Sequence, residues 1–322
     1  MISGRQTTLA ELVQIFGSGV HSDAAVTLTL HPADIDSGYR LLRTGRAGLP
    51  DQQIEIRADA VSATELATVL GDRHGALCAT TEHVLAALRG LAIDNVLIEV
   101  DGPEMPIMDG SAAAFVAMID RAGVRVQSAS RRFIRVLKPV RVTREDGAFC
   151  EFLPNAGGFR IETEIAFNNP VIGRQAVAFD VTPEVFRKEI ARARTFGFMD
   201  DVSRLWAAGY ARGASLDNTV VVDKTRVLNV EGLRYADEFV RHKALDAIGD
   251  LALAGPPLLA TYRSFRGGHR LNHAAVTALL ADRSAWTITE TATADRRARS
   301  NIRGHAEVGT ALAAPVFRPE VA

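Results

Sequence analysis

Between His242 and Asp250 the chain reads His-Lys-Ala-Leu-Asp-Ala-Ile-Gly-Asp, with polar and apolar residues spaced at the period of an α-helix. At about 3.6 residues per turn, positions four apart stack above one another, so His242, Asp246 and Asp250 form one stripe. Leu245, Ile248 and Leu251 fall on another side, the pattern of a core-facing helix. An imidazole and a carboxylate one turn apart can both reach a single metal ion, as in the HExxH arrangement. Taken alone, the stripe reads more simply as a solvated helix face carrying a His–Asp pair.

A second cluster changes that balance. In Ala79-Thr80-Thr81-Glu82-His83-Val84-Leu85 a Glu–His pair follows two threonines and opens an apolar, helix-like run. Thr80 or Thr81 is the expected N-cap, which places Glu82 and His83 in the first turn. There the helix dipole favours an ionised carboxylate and a neutral imidazole. A third His-bearing segment, Gly267-Gly268-His269-Arg270-Leu271-Asn272, follows the first cluster.

Together these segments closely resemble the UDP-3-O-acyl-N-acetylglucosamine deacetylase family, zinc amidases that commit precursors to lipid A. The resemblance rests on Thr80-Thr81-Glu82-His83, Ile93-Asp94-Asn95, Pro106 to Ala112, and Ala193-Arg194-Thr195-Phe196-Gly197-Phe198. It continues through Ser215-Leu216-Asp217-Asn218, Phe239 to Lys243 and Gly268 to Asn272, in the family's order, from Arg5 to about Ala281.

The resemblance implies specific roles. His83, His242 and Asp246 become the zinc ligands of a catalytic site with one open position; such a His₂Asp set also accepts Fe²⁺. Glu82 becomes the general base and His269, held cationic by Asp250, the acid that protonates the leaving nitrogen. Thr195 would donate to the oxyanion, and Lys243 would meet oxyanion or phosphate charge. Phe196 would pack on the sugar ring and Phe167 would stack on uracil. Residues 197–224 would be an insertion lining a passage for the acyl chain, a role that displaces the simpler reading of Met199, Val202, Leu205, Trp206 and Tyr210 as a stripe packed on the core. Two departures stand out. An often acidic position is Ala166 here, and the family's G-L-H-S-G is Gly19-Val20-His21-Ser22-Asp23. Asp tolerates a positive φ better than most residues but less well than Gly. His21 reads equally as structural or catalytic, and His74 and His273 as surface.

The expected fold is α+β, with two similar domains whose helices face each other across the active site. Residues 1–127 would supply Glu82 and His83, residues 132–290 would supply His242, Asp246, Asp250 and His269, and 291–322 would form a tail. The similarity of the domains is implied by the family, since the halves show no sequence identity. Strands are expected at 25–30, 95–100, 133–142, 159–167 and 258–262, helices at 82–89, 112–122, 183–193 and 238–253, and a linker at 127–132.

At 322 residues and 47% apolar content, the chain can bury a sizeable core. A net charge of −1 gives no global field for a nucleic acid, and Arg131-Arg132 and Arg296-Arg297 read as solvated surface. Cys78 and Cys150 match no disulfide or metal spacing and are expected as reduced thiols of a cytoplasmic protein. Met1 to Gln14 lacks signal-peptide character, and the apolar run Leu251 to Ala260 is too short to span a bilayer. The expected partner is the UDP-linked acylated glucosamine, bound by a monomer. The same amidase chemistry on another N-acylated sugar, or a non-catalytic lipid-precursor-binding relative, are the alternatives.

Overall fold

The computed structural model describes residues 4–45, 48–72 and 75–290. The architecture is α+β, and two mixed sheets share one strand order. The first runs Val13–Ser18, Ala25–Pro32, Val96–Val100, Tyr39–Arg43, Gln52–Glu55, antiparallel except where Val96–Val100 lies parallel to Tyr39–Arg43. The second runs Val140–Thr143, Phe149–Pro154, Leu258–Phe265, Phe159–Ala166, Arg174–Asp180, with its parallel pair in the same place. The duplication expected from the family resemblance is therefore a property of the topology, without matching side chains.

The helices are α1 (Glu82–Gly90), α2 (Ala113–Ala122), α3 (Pro183–Val185), α4 (Val202–Ala207), α5 (Glu238–Leu251) and α6 (His269–Ala281). In each half the central strand arrives last, preceded by α1 or α5 and followed by α2 or α6. Alternate residues Val96, Ile98 and Val100, and likewise Leu258, Ala260 and Tyr262, are buried, the period-two signature of a sheet face covered by helices. The helices α1 and α5 pack directly on one another, joining Val84, Leu85 and Leu88 to Leu245 and Ile248 in one continuous core. Almost all of α5 is buried, its polar stripe included. Among the described residues no helix is long and apolar enough to cross a membrane.

Several expectations need correction. The proposed linker is mostly a strand, Val124–Ser130, paired antiparallel with Arg5–Leu9. Its polar composition reflects a strand none of whose residues is buried. Arg131 is buried, not solvated: it pairs with Asp94 at 2.8 Å and donates to the Ala92 carbonyl at 3.0 Å. The strand expected at 133–142 is two, Arg132–Val136 and Val140–Thr143. The helix expected at 183–193 shrinks to α3, capped by Thr182, and a π-turn at Phe186–Ile190 that buries Phe186 and Ile190. An unanticipated strand, Trp286–Glu290, closes the edge beside Arg132–Val136. His273 is half-buried and its Nε2 donates to the Ala58 carbonyl at 2.8 Å, so it is not a free surface group. His74, Arg296-Arg297 and the expected tail 291–322 lie outside the described residues.

The approach of α1 to α5 is set by Gly249. A Cβ there would stand 2.0 Å from the Glu82 carbonyl oxygen, a main-chain atom that cannot swing aside. Gly249→Ala is expected to lower stability by about 1–3 kcal/mol, the usual cost of overpacking, with a disproportionate loss of activity because the helices carry the site. Urea unfolding alongside turnover checks both parts.

Candidate metal centre and active site

Seven ionisable side chains from α1, α5 and α6 meet where the two halves touch: Glu82, His83, His242, Lys243, Asp246, Asp250 and His269. Thr81 occupies the N-cap position of α1, but its hydroxyl donates to the Thr68 carbonyl at 3.2 Å and makes no helix cap. Glu82 and His83 open the helix, as expected from the sequence, and both are buried.

His83, His242 and Asp246 each offer one ligand atom, and these atoms lie within 4.8 Å of one another. His242 Nδ1 donates to the Ala193 carbonyl at 3.1 Å. Burial outweighs the neighbouring carboxylate and holds this imidazole down to about 3, hence neutral. A neutral ring that donates through Nδ1 has only a lone pair at Nε2, which lies 3.2 Å from Asp246 Oδ1. His83 Nε2 is 3.6 Å from the same oxygen. Burial alone would raise the Asp246 carboxyl, but the nearby cations Lys243 and His269 hold it well below the usual carboxylate range. Asp246 Oδ1 and His83 Nδ1 are buried without hydrogen-bond partners among the described residues. Buried acceptors are almost always satisfied, and the bare Asp246 Oδ1 lies 3.2 Å from His242 Nε2 and 3.6 Å from His83 Nε2, so these three atoms fit a cation bound between them.

Beside this cluster, His269 at the start of α6 puts Nδ1 2.9 Å from Asp250 Oδ2 and Nε2 3.7 Å from Glu82 Oε1. Burial would lower the imidazole, but Asp250 and Glu82 raise it to about 10, so it is cationic at neutral pH. Burial pushes the Glu82 carboxyl up, with His269 and His83 pulling against it. Asp250 is fully buried and also accepts from Asn272 Nδ2 at 2.8 Å and Thr68 Oγ at 2.6 Å. It is no helix-end surface carboxylate. Tyr262 in turn donates to Asn272 Oδ1 at 2.7 Å.

Lys243 Nζ donates to Asp246 Oδ2 at 2.8 Å and stands 5.4 Å from the centre of the Phe196 ring. Phe196 lies 6.3 Å from the His242 ring and so borders the cluster, while Phe167 packs 5.7 Å away against Phe196. Thr195 is two residues past the carbonyl that holds His242, anchored through Thr195 N to Gly110 O and Val220 N to Thr195 O, each 2.8 Å. Its hydroxyl makes no hydrogen bond among the described residues. Arg194, which the sequence did not mark, is buried and grips Glu238 at 2.9 Å, fixing this segment to the first turn of α5.

The segment 197–224 differs from a packed helical stripe. Its helical part is confined to a 3₁₀ turn, Met199–Asp201, running into α4, the pair Phe196–Phe198 and Val220–Val222 forms a small parallel sheet, and Met199 and Trp206 are at least half exposed. Its far end docks on the 19–23 loop: Gly213 N donates to Val20 O at 3.1 Å, and Ala211 N to His21 Nδ1 at 3.3 Å. Asp23 has φ 56°, the left-handed conformation anticipated for a position that replaces glycine. Glu104, also unmarked by the sequence, is buried and gathers Ser22 Oγ at 2.7 Å and Thr80 Oγ at 2.8 Å.

Comparison with known proteins agrees with this geometry. Residues 6–281 match the family model described as UDP-3-O-acyl N-acetylglycosamine deacetylase. The chain belongs to this family. Curated proteins named UDP-3-O-acyl-N-acetylglucosamine deacetylase from Brucella ovis and Brucella canis are each 50% identical over 287 residues, covering 88% of this chain and 98% of theirs. One from Brucella melitensis biotype 2 is 49% identical over the same span.

The raised His269 group carries a stability signature. Its folded value near 10 exceeds the ordinary 6.5, so its stabilisation is fully present below about pH 6.5 and lost as pH rises through about 10. In chelated protein, the urea-stability gap between wild type and His269→Gln is expected to shrink across that window.

Proposed function

We propose that the protein is a zinc-dependent amidohydrolase that removes the acetyl group from UDP-3-O-acyl-N-acetylglucosamine, releasing acetate in the committed step of lipid A biosynthesis. The observation that carries the reading is the 3.7 Å approach of Glu82 to His269 beside the buried His83–His242–Asp246 cluster. The relatives' printed names supply the substrate.

His83, His242 and Asp246 would hold the ion; their two imidazoles and one carboxylate suit Zn²⁺, and Fe²⁺ is also compatible. Bound there, a divalent ion supplies Lewis acidity, polarising an amide carbonyl and making water more acidic. Glu82 takes the proton of the attacking water. His269, cationic and oriented by Asp250, gives a proton to the amide nitrogen as the C–N bond breaks, since an amine anion is a poor leaving group. Thr195, with its hydroxyl uncommitted, donates to the developing oxyanion, and Lys243 adds positive charge there. Phe196 borders the sugar, and Phe167 offers a face to the uracil, with Ala166 contributing no acidic contact.

The 197–224 segment receives the acyl chain, and its exposed Met199 and Trp206 support that role. We also infer a division into units 1–127 and 132–290, supported by the repeated strand order. A monomer working in the cytoplasm, without nucleic-acid partners, completes the reading, in keeping with Cys78 and Cys150 being buried free thiols.

Metal analysis with an acetate-release assay, before and after chelation, tests the proposal. Asp246→Ala is expected to lose both zinc and turnover; full zinc occupancy with normal turnover would refute the ligand set. Glu82→Gln and His269→Ala are expected to keep zinc while losing about 10²–10⁴-fold in rate, the usual scale of acid–base assistance.

Acyl length gives an independent check. Each buried CH₂ contributes ~0.8 kcal/mol, about fourfold in kcat/KM, so shortened substrates lose activity steeply. Trp206→Asp is expected to penalise long chains more than short ones. Equal penalties would assign the segment a purely structural role.

A further inference from the structure

Thr68 lies one residue before the strand Val69–Asp72, in no helix and in none of the segments that carry the family resemblance. It is 1% exposed. Its backbone N–H donates to Glu82 Oε2 at 3.1 Å, and its hydroxyl donates to Asp250 Oδ1 at 2.6 Å. Its own carbonyl accepts from Thr81 N at 3.3 Å and Thr81 Oγ at 3.2 Å, which ties the residue to the start of α1. The hydroxyl also lies 3.4 Å from His269 Nδ1. A threonine has one hydroxyl proton to give, and the shorter contact assigns it to Asp250.

These bonds leave a definite pattern of free and occupied atoms. Asp250 Oδ1 is taken by Thr68, and Oδ2 is shared by His269 Nδ1 at 2.9 Å and Asn272 Nδ2 at 2.8 Å. Glu82 Oε2 is held by the Thr68 amide, while Oε1 faces His269 Nε2 at 3.7 Å. One residue of the N-terminal half thus grips a carboxylate of α1 with its main chain and a carboxylate of α5 with its side chain. Resting on the reaction proposed above, we propose that Thr68 is a positioning residue that fixes the separation between the Glu82 carboxylate and the His269 imidazole. It acts through the two carboxylates.

Thr68→Val keeps the volume and the backbone N–H but removes the hydroxyl, leaving Asp250 Oδ1 buried without that donor. Thr68→Ser keeps the donor. The metal-loaded Val variant is expected to fall about 10–100-fold in kcat with KM unchanged, the scale typical of outer-shell partners. The Ser variant should retain most of the wild-type kcat. The second readout is the proton resonance of His269 Nδ1–H, recorded in the protein as purified and after chelation. Stripped of one donor, Asp250 accepts more strongly from His269, so this resonance should move downfield in Val and hold its place in Ser. Should Thr68→Val not fold, Thr68→Ala is read the same way. Wild-type kcat in the hydroxyl-less variant overturns the proposal. So does a loss shared equally by Ser with an unmoved resonance, which would assign Thr68 to folding alone. Failure of the wild-type protein to release acetate refutes the reaction instead, and the resonance still decides whether Thr68 sets the pair.

Discussion

The contact between α1 and α5 is the constraint on which the site depends. With no side chain at Gly249, the first turn of α1 rests its Glu82 backbone against α5. That approach carries Glu82 and His83 from one half into reach of His242, Asp246 and Asp250 from the other. Dispersion and burial of Leu85, Leu88, Leu245 and Ile248 hold the helices together. The polar groups between them are therefore imposed on a tightly packed interface and must satisfy one another. They largely do so. Asp250 accepts three donors, His269 faces two carboxylates, and Lys243 neutralises one oxygen of Asp246. The exception between the two helices, Asp246 Oδ1, marks the place where something other than protein fits.

The repeated strand order explains why the site is assembled from similar elements used differently. Each half delivers a helix immediately before its central strand, so both helices end up on the buried face of their sheets. In α1 the reactive residues occupy the first turn, where the dipole acts on them. In α5 they run along the interior, His242 to Asp250, where four-residue spacing aligns them. The interface sees one face of each helix, and the two kinds of placement converge because the α1 N-terminus abuts the C-terminal half of α5.

How much of this was legible in the sequence follows from range. The α5 stripe and the Glu82–His83 pair are local patterns, fixed by helical geometry, and the structure places them as expected. His269 and Asp250 were paired through the resemblance, and the contact is there at 2.9 Å. Thr68, Glu104, Glu238 and Arg194 carried no signal, because each draws its significance from a partner at least 13 residues away, as Thr81 Oγ reaching Thr68 O illustrates at its nearest. The Val124–Ser130 strand was misread as a linker because an edge ribbon with a wet face has linker-like composition. Arg131 was misread for the converse reason: its burial depends on Asp94, which arrives from another turn of the chain.

The same reasoning bears on what an ion does for the fold. Glu82, Asp246 and Asp250 bring three carboxylates into the buried cluster, against the cations His269 and Lys243, while His242 is neutral. These charges meet in a region that water barely reaches. Burial raises the Glu82 carboxyl, which disfavours the ionised form that a base needs. A dication held by His83, His242 and Asp246 would reverse the local balance: its field would favour the ionised form of Glu82, and it would satisfy the orphaned Asp246 oxygen. Because these residues come from both halves, such binding would also favour the folded state and tighten the α1–α5 contact. Activation of the base and closure of the two halves would then arise from one electrostatic event.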